Sequence, residues 1–214
     1  MTKNKEYINL SEVKDIKNLT PEESAQVRDR DIKVPLTPLF CILTALASVV
    51  LVSGIYLLRR DLMFTIQAAL IIPLLIYVSV VDIKLHMAPN WIAVALAIIG
   101  IPNIIVAAIN SNYTDLLFNR LLGVFAGFIL LFIAALASKG GIGAADMKIT
   151  SALGLFMGVE GIFMGQLIGI FFAAIASIML LITRKADRKA RIALLPYLSA
   201  GMVIAMYLPN NLLF

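Results

Sequence analysis

Residues 147–191 read MKITSALGLFMGVEGIFMGQLIGIFFAAIASIMLLITRKADRKAR. This stretch decides the topology. It divides into an apolar span at 147–159, a second at 161–183 and a strongly basic segment at 184–191 with Arg184, Lys185, Arg188, Lys189 and Arg191. The first span is short, and Gly158 and Gly161 flank a turn at its end. Lysine and arginine concentrate in cytosolic loops, so 184–191 is expected in the cytosol. Counting back with a break near Gly158 gives seven spans. Lys84, Lys139, Lys148 and the N-terminal tail with Lys33 then fall on the same side as the basic segment. Reading 147–183 as one helix gives six spans and sets the basic segment opposite Lys84. Arg59, Arg60 and Arg120 fall on the far side in the seven-span reading and count against it. The balance favours seven.

The rest of the chain agrees with a bilayer. Apolar residues make up 61% of the sequence and charged residues 14%, and the mean hydropathy is +0.95. Soluble domains carry roughly 45–50% apolar and about 25% charged residues, so lipid must cover much of this surface. The apolar runs are far longer than barrel strands, which leaves helices. Further spans are expected at 36–58, 62–82, 90–109, 116–138 and 192–212. The expected fold is an all-α polytopic integral membrane protein, with a six-helix core (61–214), an additional N-terminal transmembrane helix (35–60) and a charged cytosolic tail (1–34). In the tail, Thr20-Pro21-Glu22-Glu23 has the form of a capping box and predicts a short surface helix over about 21–30. The lone Cys41 cannot form an intrachain disulfide, and no cysteine cluster suggests a structural zinc site. No metal or other cofactor is expected, and no nucleic-acid partner.

Acidic residues are scarce beyond the tail. Residues 35–214 hold six: Asp61, Asp82, Asp115, Asp146, Glu160 and Asp187. Asp61, Asp115, Glu160 and Asp187 read as loop or surface acids. Asp82 ends the second span and Asp146 begins the fifth, so both are expected at the cytosolic membrane edge. Asp82 is followed by Pro89, placed to start the next helix, and Asn90. His86 reads as a surface histidine. Asp146 is preceded by Gly140, Gly141, Gly143, Ala144 and Ala145, small residues that let another backbone approach. Two carboxylates together at a half-dry membrane edge cannot easily both ionise, and so share a proton. Such a pair holds one base to activate water and one acid to protonate a scissile amide. Spacing alone leaves the bland readings open. Either aspartate could be a simple interfacial residue, Asp146 could only cap a helix, and Lys148 could orient Asp146 or merely mark the inside.

Together these segments resemble the aspartic prepilin peptidase family, of the Gly-x-Gly-Asp type, which includes the archaeal preflagellin peptidases. Asp82 with Pro89 and Asn90 matches the family's aspartate followed seven and eight residues later by Pro-Asp or Pro-Asn. Gly141, Gly143, Asp146 and Lys148 match the frame of its Gly-x-Gly-Asp-x-Lys segment. Ala152 to Gly158 is similar to the helix after the family's second aspartate, and Leu195-Pro196-Tyr197 to its C-terminal proline-aromatic segment. The resemblance covers about 62–212. It departs at Ala145, where the family has glycine; a Cβ there disfavours left-handed backbone angles and takes up room.

The resemblance implies an aspartic endopeptidase with Asp82 and Asp146 as catalytic residues. Gly141, Gly143, Lys148, Pro89 and Asn90 would support the site or bind substrate. The implied partner is a membrane-anchored prepilin-like or preflagellin precursor with a basic leader, cut at the cytosolic face of the cell membrane. Without the cysteines of the family's methylating members, the chain is expected to cleave without N-methylation. Two alternatives stand beside this one: a presenilin or signal-peptide-peptidase-like protease, and a non-catalytic transporter or pilus-assembly component.

Overall fold

The structure is a computed structural model that describes residues 38–85, 88–109, 113–138, 142–183 and 193–208. The tail with its expected 21–30 helix, His86, Lys139, Gly141 and the basic segment 184–191 lie outside the described residues. Residues Ile42–Phe214 form one compact unit; of the other, Met1–Cys41, the described part is Pro38–Cys41.

The described residues are helical, without strands: α1 (Pro38–Arg59), α2 (Leu62–Leu85), α3 (Asn90–Ile109), α4 (Tyr113–Ala137), α5 (Ala144–Ile182) and α6 (Leu195–Tyr207). α1, α2, α4 and α5 are long and apolar enough to cross a membrane, while α3 and α6 carry shorter apolar stretches. Large apolar side chains such as Leu57, Val94, Phe125 and Ile182 lie exposed on the outer surface, as expected where lipid is the solvent. The protein is a multi-pass membrane protein.

α5 is 39 residues long. As a straight helix it would extend about 58 Å, nearly twice the ~30 Å hydrocarbon core. It is not straight. Gly158 has φ 72° and ψ −176°, which no residue with a Cβ adopts readily. The sequence on either side then runs back along the same neighbour. Thr150 Oγ1 donates to the Gly127 carbonyl at 3.0 Å, and Gln166 Nε2 donates to the same carbonyl at 2.7 Å. In an unbroken helix those two side chains would be about 24 Å apart along the axis. Their meeting on one oxygen means that the limbs 144–157 and 159–182 are antiparallel. Counted by limb, the described residues form seven helical segments.

The break is closed from α4. Asn119 Oδ1 accepts from the Val159 N–H at 2.8 Å, and Arg120 Nη1 donates to the Phe156 carbonyl. Both backbone groups lose helical partners at the break, and lipid offers no replacement. A second arginine at this end, Arg59, donates to the Leu208 carbonyl at the C-terminus of α6 and lies 4.4 Å over the Phe64 ring. Asp61 accepts from the Phe64 N–H at 3.1 Å and so caps α2. Arg59 and Arg120 therefore close backbone carbonyls at helix ends, which accounts for two of the arginines that count against the topology. Asp82 and Asp146 lie at the opposite end of α2.

Between the ends, Ile55, Ile72, Leu75, Leu96, Leu153, Phe156, Ile162 and Met202 form one buried core joining α1, α2, α3, both limbs of α5 and α6. Helix contact in lipid relies on close packing more than on expulsion of water. A Cβ on Gly123 would lie 2.7 Å from the Gly154 carbonyl oxygen, and one on Gly127 2.7 Å from that of Thr150. Gly165 and Gly169 meet Gly201 of α6 with similar closeness. Gly123→Leu is expected to lower unfolding stability in detergent by about 1–3 kcal/mol through overpacking. Gly161→Ala, whose nearest contact is the Met157 Cβ at 3.0 Å rather than a neighbouring backbone, should lower the same denaturation curve less than Gly123→Leu does.

Candidate active site

Asp82 lies in the last turn of α2 and is 6% exposed. The sequence places it at the end of its span, but the helix continues three residues further, to Leu85. Asp146 lies in the first turn of α5, where it is 8% exposed. The two come from segments 64 residues apart in sequence. Both lie at one end of the bundle, because α2 and the second limb of α5 run toward that end, where the first limb and α6 begin.

Each carboxylate also holds a backbone N–H. Asp146 Oδ2 accepts from Gly143, the N-cap of α5, at 3.3 Å. Asp146 is thus the third residue of the helix, with Gly143 as its cap. Asp82 Oδ2 accepts from the Leu195 N–H at 3.1 Å. Leu195 opens α6, with Pro196 in its first turn. The first N–H groups of a helix have no partner within it, and the positive end of its dipole faces a carboxylate favourably. Asp82 is therefore seated on the start of α6. Sequence reasoning missed this bond. The available signal was Pro196, which marks a helix start and hence free donors nearby.

The supporting residues are partly gathered. Lys148 Nζ donates to Asn90 Oδ1 at 3.3 Å. This joins the motif residue at the start of α3 to the one two positions after Asp146. Pro89 is half-buried just before α3, and Gly143 is exposed beside Asp146. Gly143 adopts an extended φ of −75°, so its role is to cap and to leave room, not to reach positive φ. Thr150, one turn below Asp146, donates to the Asp146 carbonyl at 2.9 Å. Among the described residues, no group of three or more His, Cys, Asp or Glu side chains could hold a metal ion.

Ala145, the departure from the glycine pattern, is the second residue of α5. Among the described residues Arg60 is the non-glycine residue with positive φ. The backbone at 145 is right-handed helical, where alanine is preferred over glycine. The expected conflict with left-handed angles does not arise.

Against this geometry stand the comparisons with known proteins. The type IV leader peptidase family matches residues 69–181, which include both aspartates. The chain belongs to that family. A prepilin leader peptidase/N-methyltransferase of Bacillus subtilis (strain 168) is 31% identical over 142 residues, covering 64% of this chain and 54% of that protein. The chain thus spans about half the length of this relative. No solved structure gives a significant match.

Ala145→Gly is expected to cost about 0.5 kcal/mol of stability, because it loosens the first turn of α5 without relieving any strain. Thermal unfolding in detergent checks this; a clear gain in stability would contradict a helical residue 145.

Proposed function

We propose that this family member is an aspartic endopeptidase. It removes the basic leader of prepilin-like or preflagellin precursors at the cytosolic membrane face, without N-methylating the product. What supports the proposal is the placement of Asp82 and Asp146, both buried, at one end of the bundle, each accepting a backbone N–H.

The chemistry needs no metal. One carboxylate takes a proton from a water molecule while the water oxygen attacks the scissile carbonyl carbon. The other carboxyl gives its proton to the amide nitrogen as the C–N bond breaks. The leader then leaves with a new carboxyl terminus and the mature chain with a free amine. The proton equilibria belong to the pair, not to either residue. The N–H groups of Gly143 and Leu195 each hold one oxygen of a carboxylate.

Several features support cytosolic cleavage next to the membrane. Asp82 and Asp146 occupy terminal turns of their helices. A presenilin-like protease, which cuts within a membrane helix, would hold its aspartates deep within two spans. Lys84 and Lys148 lie exposed at the same end as the aspartates, as positive-inside orientation requires. A substrate with a basic leader and a following apolar helix would set its cleavage site at this depth.

The test is co-expression of the chain with such a precursor. Asp82→Asn and Asp146→Asn should each lower cleavage on the order of 10²–10⁴-fold, with little change in thermal unfolding, because an amide oxygen can still accept the Leu195 or Gly143 N–H. Undiminished cleavage in both variants would exclude the assignment, and mass spectrometry of the mature N-terminus checks for the absence of methylation.

A further inference from the structure

The family match begins at residue 69, which leaves α1 and its role outside it. Three contacts nevertheless tie α1 to the far end of α6. The Tyr207 hydroxyl donates to the Leu51 carbonyl at 2.6 Å. Arg59 donates to the Leu208 carbonyl. Gly54 lies flush against the Tyr207 ring, where a Cβ would sit 3.0 Å from ring atoms. Ile55 of α1 is fully buried in the core that holds Met202 and Met206 of α6.

α6 is 13 residues long, about 20 Å, and its other end donates the Leu195 N–H to Asp82. A helix this short behaves as a rod, so an axial shift at Tyr207 appears undiminished at Leu195. The second limb of α5 also packs on α6, with backbone-to-backbone contact at Gly201 and the Met202 and Leu198 side chains of α6 against Gly165 and Gly169. The hydrogen bonds at Tyr207 and Leu208 are directional and lie along α1.

We propose that α1 is an axial brace: through Tyr207 and Arg59 it sets the height of α6, and α6 in turn seats the Asp82 carboxylate opposite Asp146. Tyr207 and Arg59 are positioning residues, more than 20 residues in sequence from either aspartate. The catalytic consequence rests on the peptidase reading above; the mechanical part does not.

The experiment has two arms on the full chain in lipid nanodiscs. In the first, hydrogen exchange followed by mass spectrometry reads the segment containing Leu195. Tyr207→Phe, which deletes one hydroxyl, and Arg59→Gln should each speed exchange there several-fold, with global thermal unfolding unchanged. Asp82→Ala serves as the reference for complete loss of the Leu195 bond, and Arg59→Lys, which keeps a cationic donor, should restore part of the protection. Unchanged Leu195 exchange in both Tyr207→Phe and Arg59→Gln overturns the brace. In the second arm, kcat for precursor cleavage should fall about three- to tenfold in Tyr207→Phe, as expected for loss of one hydrogen bond, with KM unchanged. Faster Leu195 exchange with wild-type kcat overturns the link to Asp82. Absence of cleavage by the wild-type chain overturns the peptidase reading and leaves the first arm to decide the brace.

Discussion

A helix broken at the edge of a membrane leaves a carbonyl and an N–H without helical partners, and where lipid borders them the protein must supply others. The whole arrangement depends on how that problem is met at Gly158. Asn119 takes the Val159 N–H and Arg120 the Phe156 carbonyl, and the Gly127 carbonyl receives one donor from each limb. With the break closed in this way, α5 reverses. Its first limb starts beside Asp82 and its second limb returns to the same end, so α6 also starts there. Were the 39 residues a single crossing, α6 would begin at the opposite end, and the Leu195 N–H could not reach Asp82.

The same backbone requirement explains a conflict at the level of charge. The positive-inside rule counts lysines and arginines by side, and Arg59 and Arg120 stand on the wrong one. Each is bonded to a carbonyl at a helix end, where a cation also meets the negative end of the helix dipole. Phe64, under Arg59, stacks on Phe156 at a ring separation of 4.5 Å, and Phe156 supplies the carbonyl held by Arg120. One aromatic pair thus connects the two arginines.

Much of this was legible in the sequence. The all-helical membrane fold follows from hydropathy, and a break near Gly158 was expected from the basic segment, whereas the pairing of Asp82 with Asp146 came from the resemblance to the prepilin peptidases and belongs to the proposed function. Local features were read less well. Asp82 was placed at the end of its helix, whereas Leu85 ends it, because Ile83 and Leu85 extend the apolar pattern past the charge. Asp61 was read as a loop acid and is a helix cap. The four-residue spacing of Gly123 with Gly127, and of Gly154 with Gly158, was present in the sequence as a signal of close helix contact. What could not be read are bonds made by the backbone of one segment to a side chain far away. The partner of Asp82 is 113 residues distant, and a leucine N–H carries no mark in the side-chain pattern.

Ala145 shows how geometry changes the weight of a motif. The family's glycine before the second aspartate suggests a backbone that needs positive φ, and on that reading alanine is a defect. Here position 145 is inside the first turn of α5, and the residue that needs positive φ is Gly158, at the far end of the same limb. The conformational demand and the motif around Asp146 are therefore separate. The carboxylate of Asp146 is held by the Gly143 N–H, a bond indifferent to the side chain at 145. What a Cβ at 145 still affects is space on a half-buried face beside the carboxylate, where a substrate backbone would lie. On the proposed peptidase reading, the substitution would bear on which residues fit beside Asp146, rather than on whether the first turn of α5 can form.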